Sequence, residues 1–324
     1  MTRWFPSPPR GEARQQGFAL ILVLFVLLLL SMIGGTFALA VRTEALATRN
    51  AGEDFEGYAL ALGGVQQGLA EILGEWEVNF LDSSGVMGFA EKDGSPVPSP
   101  RTAVRLAAGA IGYQIIDEEG KINVNRANQK LLTSLLRNLE LPPGTNIDEV
   151  VDAILDWVDS DQLRRLNGAE DEYYLGLGIP YLPKNAPMVE PGELLLVKGI
   201  TPELYGLLSQ VLTVYGTGRV NVNTAPLAVL QTVFPNDALS LMNQRRATPL
   251  LSAPAPGIVR SSTFSIAGWG RGATSRADRL VKVVVTRLPD EEPGAKQNDE
   301  QRPRYVIRSW NDDYAVPAWP AVAR

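Results

Sequence analysis

The hydrophobic pattern along the chain changes character repeatedly, and each change predicts an element. From Phe18 to Val41 there is no charge, no proline and no strongly polar side chain beyond Ser31 and Thr36. At about 1.5 Å per residue this run reaches roughly 36 Å, enough to cross a bilayer core of about 30 Å with some tilt. It predicts a membrane helix, and it is too long for the roughly 7–15 apolar residues of a cleaved secretory signal. Beyond it no proline occurs before Ser95, and Phe55, Tyr58, Leu62, Val65, Leu69, Ile72 and Trp76 fall at alternating spacings of three and four. That spacing draws one apolar stripe along a continuing helix. Glycines at 52, 57, 63, 64, 68 and 74 weaken a free-standing coil, so the stripe is expected to pack on a sheet of the same chain.

From Asn79 to Thr102 the composition turns to Gly, Ser, Pro and Asp with little periodicity, which predicts a loop. Gly112 to Asp117 predicts a strand. It leads into an internal repeat, in which Gly120-Lys-Ile-Asn-Val-Asn-Arg-Ala-Asn128 matches Gly218-Arg-Val-Asn-Val-Asn-Thr-Ala-Pro226. In each copy a short extended segment ends in Asn-Val-Asn, which places Asn125, and Asn223 or Thr224, to cap a following helix. Pro226 is expected in the first helical turn, where its missing donor costs nothing. Between the copies, Asn146 opens a helix carrying Ile147, Val150, Val151, Ile154, Trp157 and Val158 on one face, with Asp148 and Glu149 at its positive end. Glu193 to Val197 predicts a short apolar helix, and Thr201-Pro202 begins another. After Leu251 the period shortens, predicting antiparallel strands over Ser262–Ala267, Leu280–Arg287 and Arg304–Trp310. The acidic, Pro-rich stretch from Pro289 to Pro303 predicts a mobile loop.

Composition narrows the function. The 324 residues carry a net charge of −6, which argues against nucleic acid as the main partner, since phosphate binding needs a concentrated basic face. There is no cysteine and no histidine, which removes disulfides, thiolate sites, Ser-His-Asp triads and His-ligated zinc. A non-enzymatic role is expected. Before the apolar run, Arg3, Arg10 and Arg14 outweigh Glu12, so the N-terminal side is expected to stay in the cytoplasm and the rest to be exported.

A basic leader ending in Gly17, followed by Phe18 and an unbroken apolar helix, resembles the type IV prepilin class. The resemblance implies cleavage between Gly17 and Phe18 by a prepilin peptidase and N-methylation of Phe18. Most of that class carries Glu at the fifth mature position, where this chain has Leu22. Such a departure, together with DEEGKINVN from Asp117, DAILDWVDSDQLRRLNGAEDEYY from Asp152, PKNAP from Pro183, ELLLVKGITPELY from Glu193 and LTVYGTGRVNVNTAP from Leu212, resembles the K-type minor pseudopilins of type II secretion. That family implies an α+β, pilin-like fold, a long N-terminal helix packed on a small antiparallel sheet, with a large inserted all-α domain. The corresponding division is a leader over 1–17 and a transmembrane half-helix over 18–41. The exported half-helix, loop and first strand follow over 42–119, then the α-helical insert over 120–250 and the closing strands over 251–324. It also implies an inner-membrane, single-pass protein with a periplasmic head, at the tip of a pseudopilus with I-type and J-type minor pseudopilins above the major pseudopilin. Contact with the secretin or with secreted substrates is left open. The alternatives are a minor pilin of a surface type IV pilus and a competence-type DNA-binding protein.

Asp152, Asp156, Asp159, Asp161, Glu170, Asp171 and Glu172 crowd one stretch with Arg164 and Arg165 as their basic neighbours. Hard oxygen ligands at short spacing, with Asn167-Gly168 to turn the chain back, suit Ca²⁺, which takes six to eight oxygens. Composition alone favours ion pairs of Asp156 and Asp159 with the two arginines on a solvated face. The family resemblance implies calcium instead, with candidate ligands Asp159, Asp161, Glu170 and Asp171, and Asp156 beside them. Val220 to Leu230 with Val233 and Arg245-Arg246 has a helix-hairpin-helix look, and Lys198-Gly199-Ile200 resembles the hairpin of DNA-binding versions more closely than Phe234 to Asp237 does. A structural use of that motif is favoured. Asp117, Glu118 and Glu119 supply the carboxylates a glycosidase needs, but an acidic surface is the favoured reading. Trp157, Tyr173 and Tyr174 are expected in the core.

Overall fold

The structure, a computed structural model, describes residues 13–98, 104–274, 278–288 and 304–312. The chain divides into two compact units, Met1–Phe55 and Glu56–Arg324. The described part of the first unit is entirely helical and belongs to α1, Ala13–Ile72, a helix of 60 residues. Its side chains from Phe18 to Val41 are all exposed, and it is the helix among those described that is long and apolar enough to cross a membrane. Part of the expected leader, residues 1–12, lies outside the described residues, and 13–17 are already helical.

The head, from Glu56 on, begins with the end of α1. The helix stops at Ile72, short of Trp76. Phe55 is 72% exposed, so the apolar stripe does not start there. The buried positions are instead Gly57, Leu60, Ala61, Gly64, Val65, Gly68 and Ile72, with Tyr58, Leu62 and Leu69 packed along the side. Glycine at 64 is a packing requirement: a Cβ there would overlap the carbonyl oxygen of Gly112 and lie 3.3 Å from Cα of Gly268. Helix and sheet thus meet backbone to backbone. A hydrophobicity count misses this, because the residue that allows the closest approach carries no apolar side chain.

The stretch from Asn79 to Thr102 is not the expected loop. Val78–Leu81 (β1) and Met87–Ala90 (β2) form an antiparallel hairpin, and its Asp/Ser/Gly cluster is only the turn. There Asp82 accepts the amides of Ser84 and Val86, and Gly85 supplies the left-handed residue at φ 76°. Val104–Leu106 (β3) pairs with Gly109–Asp117 (β4), which starts before the expected Gly112. Thr263–Gly272 (β9), Arg279–Arg287 (β10) and Tyr305–Asn311 (β11) complete a five-stranded antiparallel sheet in the order β11-β10-β9-β4-β3. Register places Tyr113, Gly268 and Val281 in one cross-strand row and Ile115, Ile266 and Val283 in another. These apolar residues join Ala61, Val65 and Ile72 of α1 and Trp76, Phe89 and Phe264 in one cluster. The expected loop from Pro289 to Pro303 lies outside the described residues.

Two arginines from the sheet side close the C-terminal end of α1. Arg287 donates to the carbonyls of Gly74 at 3.3 Å and Ile72 at 3.5 Å, and Arg304 to that of Leu73 at 3.1 Å. Cations suit this end of a long helix, where unpaired carbonyls gather partial negative charge. The guanidiniums of Arg287 and Arg260 lie over the Trp76 ring, 5.1 and 5.3 Å from its centre.

The repeat folds twice the same way. Ile122–Asn123 (β5) pairs in parallel with Leu212–Thr213 (β6), and Val220–Asn221 (β7) with Gly257–Ile258 (β8). A helix follows each copy: Gln129–Arg137 (α2) and Leu227–Val233 (α6). The repeated asparagines do not cap them. Asn125 and Asn223 each use both ends of the amide to clamp a distant backbone, Met188 at 2.8 and 2.8 Å and Leu250 at 2.9 and 2.9 Å. Asn123 and Asn221 turn the chain by accepting the amides of Asn125 and Asn223. The cap of α2 is Asn128, while α6 starts from Pro226 itself, with no side-chain cap from Asn223 or Thr224. Between the copies lie Ile147–Val158 (α3), capped by Asn146, Asp171–Gly176 (α4) and Pro202–Val211 (α5), capped by Thr201. The expected helix from Glu193 to Val197 is a 3-10 turn over Pro191–Leu196. Ala238–Ala247 (α7) follows α6. These helices share a second hydrophobic cluster, which includes Leu132, Leu135, Ile154, Trp157, Leu194, Leu208 and Leu230.

Candidate metal centre

The loop between α3 and α4 is built on two carboxylates, one helical turn apart, that face inward. Asp152 is 4% and Asp156 0% exposed. Asp156 accepts the Arg165 amide at 3.3 Å and pairs with the Arg165 Nε at 3.3 Å. Asp152 accepts the amide and the side-chain nitrogen of Asn167 at 3.1 and 3.0 Å. Gly168 completes the turn because a side chain there would strike the Asp156 carboxylate. The return leg is pinned by Lys198, whose Nζ donates to the carbonyls of Asn167 at 3.1 Å and Gly168 at 3.4 Å. Lys198 also pairs with Glu149 at 3.0 Å and lies over the Tyr173 ring. A half-buried lysine so engaged is no phosphate hairpin, and no local sequence pattern ties Lys198 to this loop.

The loop thereby brings Asp159, at the end of α3, to Asp161 and Glu170. One carboxylate oxygen from each lies within 4.8 Å of the others. Glu170 is 5% exposed, and neither of its oxygens has a hydrogen-bond partner. Oδ1 of Asp159 is likewise buried and without a partner. Burial pushes Glu170 up to about 7, with Asp156, Asp159, Asp171 and Asp161 adding to it in that order. Burial also raises Asp156. The remaining candidates lie outside this group of three: Asp171 takes the Gln162 amide at 3.2 Å, and Asp156 is the staple beneath the loop. Trp157 and Tyr174 are in the core behind it, and Tyr173 packs against them.

Asp117, Glu118 and Glu119 do not form an acidic surface. They are 4%, 2% and 2% exposed. Asp117 collects donors from Asn79, Asn221, Thr224 and Ser261, and Glu118 from Lys121, Thr213 and Ser265. Glu119 accepts from Thr217 and Ser262. The DEEGKINVN stretch is therefore a polar joint that ties the sheet to the repeat.

Residues 108–217 match the profile of a family described as "Type II secretion system (T2SS), protein K". The type II secretion system protein K of Pectobacterium carotovorum subsp. carotovorum is 30% identical over 268 residues, 72% of this chain and 76% of that protein. This chain belongs to the type II secretion system protein K family. The Klebsiella pneumoniae protein K is 29% identical over 283 residues, covering 79% and 84% of the two chains. Among solved structures, the crystal structure of the GspK-GspI-GspJ complex from enterotoxigenic Escherichia coli aligns with a TM-score of 0.55 at 16% identity, covering 85% of this chain and 99% of that one. The protein K fold accounts for the mixed architecture, with long apolar helix, antiparallel sheet and further helices. The chain is a minor pseudopilin of the type II secretion system. The first copy of the repeat and the candidate metal loop from Asp152 to Glu172 fall within the matched region, and the second copy follows directly after it.

Proposed function

We propose that this protein K caps the pseudopilus as a non-enzymatic tip subunit, assembled with I-type and J-type minor pseudopilins over the major pseudopilin. The relative solved as a GspK-GspI-GspJ complex supports those two partners. One observation carries the tip position: apolar Leu22 stands where the prepilin class places Glu. In that class the Glu on one subunit receives the ammonium of the next, and an unpaired charge in lipid is costly. A subunit without it has no neighbour to receive on that side. The reading includes an inner-membrane anchor with the head in the periplasm, cleavage by the prepilin peptidase between Gly17 and Phe18, and methylation of Phe18. Co-expression of the full chain with full-length I-type and J-type pseudopilins, followed by detergent extraction, is expected to yield a stable complex containing all three. Recovery of the chain without either partner would count against the tip.

The same reading gives the acidic loop a calcium ion. Orphaned buried oxygens on Glu170 and Asp159, with Asp161 beside them, fit a hard divalent cation better than they fit water or a cationic side chain. An ion would neutralise carboxylates that otherwise repel one another, and carbonyls or water would fill the remaining coordination. At a hundredfold excess over Kd, calcium should stabilise the head by about 2.7 kcal/mol, roughly 5–10 °C in melting temperature. Melting the full chain in detergent with CaCl₂ and then with chelator reads this. Superimposed curves would remove the ion, and Glu170→Gln should abolish the shift.

A further inference from the structure

Asp159 faces two ways. Its Oδ2 accepts Nη2 of Arg165 at 3.2 Å, while its Oδ1 is buried, without a partner, in the group with Asp161 and Glu170. The Nε of the same guanidinium reaches Asp156, which is fully buried, at 3.3 Å. Lys198 is committed to Glu149 and two carbonyls, and Arg164 is exposed. Among the described residues, Arg165 is therefore the cation that pairs with both Asp156 and Asp159 of this acidic loop.

We propose that Arg165 is the resident counter-ion of this loop, that it competes with a divalent cation for Asp159, and that it sets the concentration at which the site fills. The proposal rests on the calcium reading above. Without an ion, Asp156, Asp159, Asp161 and Glu170 crowd together and the guanidinium is what offsets them, so it stabilises the fold. With an ion, the guanidinium and the metal share one carboxylate and repel across it, so it opposes binding. One side chain thus acts with opposite sign on stability and on affinity. An arginine with a purely structural role would act with the same sign on both, since a loosened loop also loses its ligands.

Calorimetric titration of the full chain in detergent with CaCl₂, paired with melting in chelator, separates these. Arg165→Gln is expected to lower the chelator melting temperature and to tighten calcium by about tenfold. Arg165→Lys, whose single ammonium cannot serve both Asp156 and Asp159, should melt closer to the unsubstituted protein and still tighten calcium about threefold. In an Asp159→Asn background the Arg165 substitution should leave calcium affinity unchanged. Equal or weaker calcium binding in both Arg165 variants overturns the competition while leaving the metal site standing. No calcium binding by the unsubstituted chain overturns the site, and the competition with it.

Discussion

Asp117→Ala is expected to cost the head about 4 kcal/mol near pH 5, the largest loss among single side chains outside the apolar clusters. Its Oδ2 accepts Asn79 Nδ2 at 2.8 Å, Asn221 Nδ2 at 3.1 Å, Thr224 Oγ1 at 2.7 Å and Ser261 Oγ at 2.7 Å, and its Oδ1 accepts the Glu119 amide at 2.8 Å. These donors come from the hairpin, from the second repeat and from the segment before β9. Removing the acceptor leaves them buried together without water. The loss should also depend on pH in a defined direction. Burial raises Asp117 from 3.8 to about 6, with Ser261, Thr224 and Asn79 opposing the shift. A carboxyl with a raised folded pKa contributes stability in acid and loses it as pH climbs through that value. The difference between the two proteins should therefore shrink by about 1–1.5 kcal/mol from pH 5 to pH 8. Urea unfolding of the full chain in detergent, followed by tryptophan fluorescence at both pH values, measures it. A difference below about 1 kcal/mol at pH 5 would mean that the joint is not holding the sheet to the repeat.

The joint also shows what the sequence could and could not disclose. Three consecutive acids read as surface because composition registers the cost of burying charge and not the donors that offset it. Those donors lie at Asn79, Thr213, Asn221 and Ser261, up to 144 residues away from Asp117 in the chain. The repeat was legible as a repeat, and its extended segments and following helices are present. The role of its asparagines was not, because a cap and a backbone clamp use the same amide, and only the position of Met188 and Leu250 distinguishes them. The first hairpin was lost to its own turn: four-residue strands are too short for alternation to outweigh Asp82 to Gly85. The long helix and the later strands were legible because a long apolar run and β-branched alternation are local signals.

At the acidic loop, clustering was visible and selection was not. Asp152 and Asp156 repeat at the spacing of one helical turn on α3 and point at the loop they staple, whereas Asp159 and Asp161 fall after the helix has ended. That boundary, set by where the helix stops at Val158, decides which acids hold the chain and which stay available to an ion. Lys198 enters from a segment whose sequence resembles a hairpin, so no local pattern connected it to Asn167 and Gly168.

Adjacent glycines near the end of α1 should respond with opposite signs, and this tests the helix–sheet seam on which the head depends. Gly64→Ala adds a methyl group that collides with the Gly112 carbonyl and presses on Gly268. Neither backbone can yield easily: Gly268 lies between Tyr113 and Val281 in register, and a side chain there would itself strike the Ala61 carbonyl. Separation of helix and sheet would open the cluster of Val65, Ile72, Ile115, Phe264 and Ile266, so the substitution should destabilise by about 3 kcal/mol. Gly63→Ala places its methyl at 3.9 Å from Ile111, an ordinary contact, and replaces a poor helix former with the best one. It should stabilise by roughly 0.5–1 kcal/mol. Melting both variants beside the unsubstituted chain is sufficient, since helix propensity alone would raise the two equally. If they do rise together, α1 does not lie against β4 and β9 through its glycine face, and the stripe of larger side chains at Tyr58, Leu62 and Leu69 carries the contact instead.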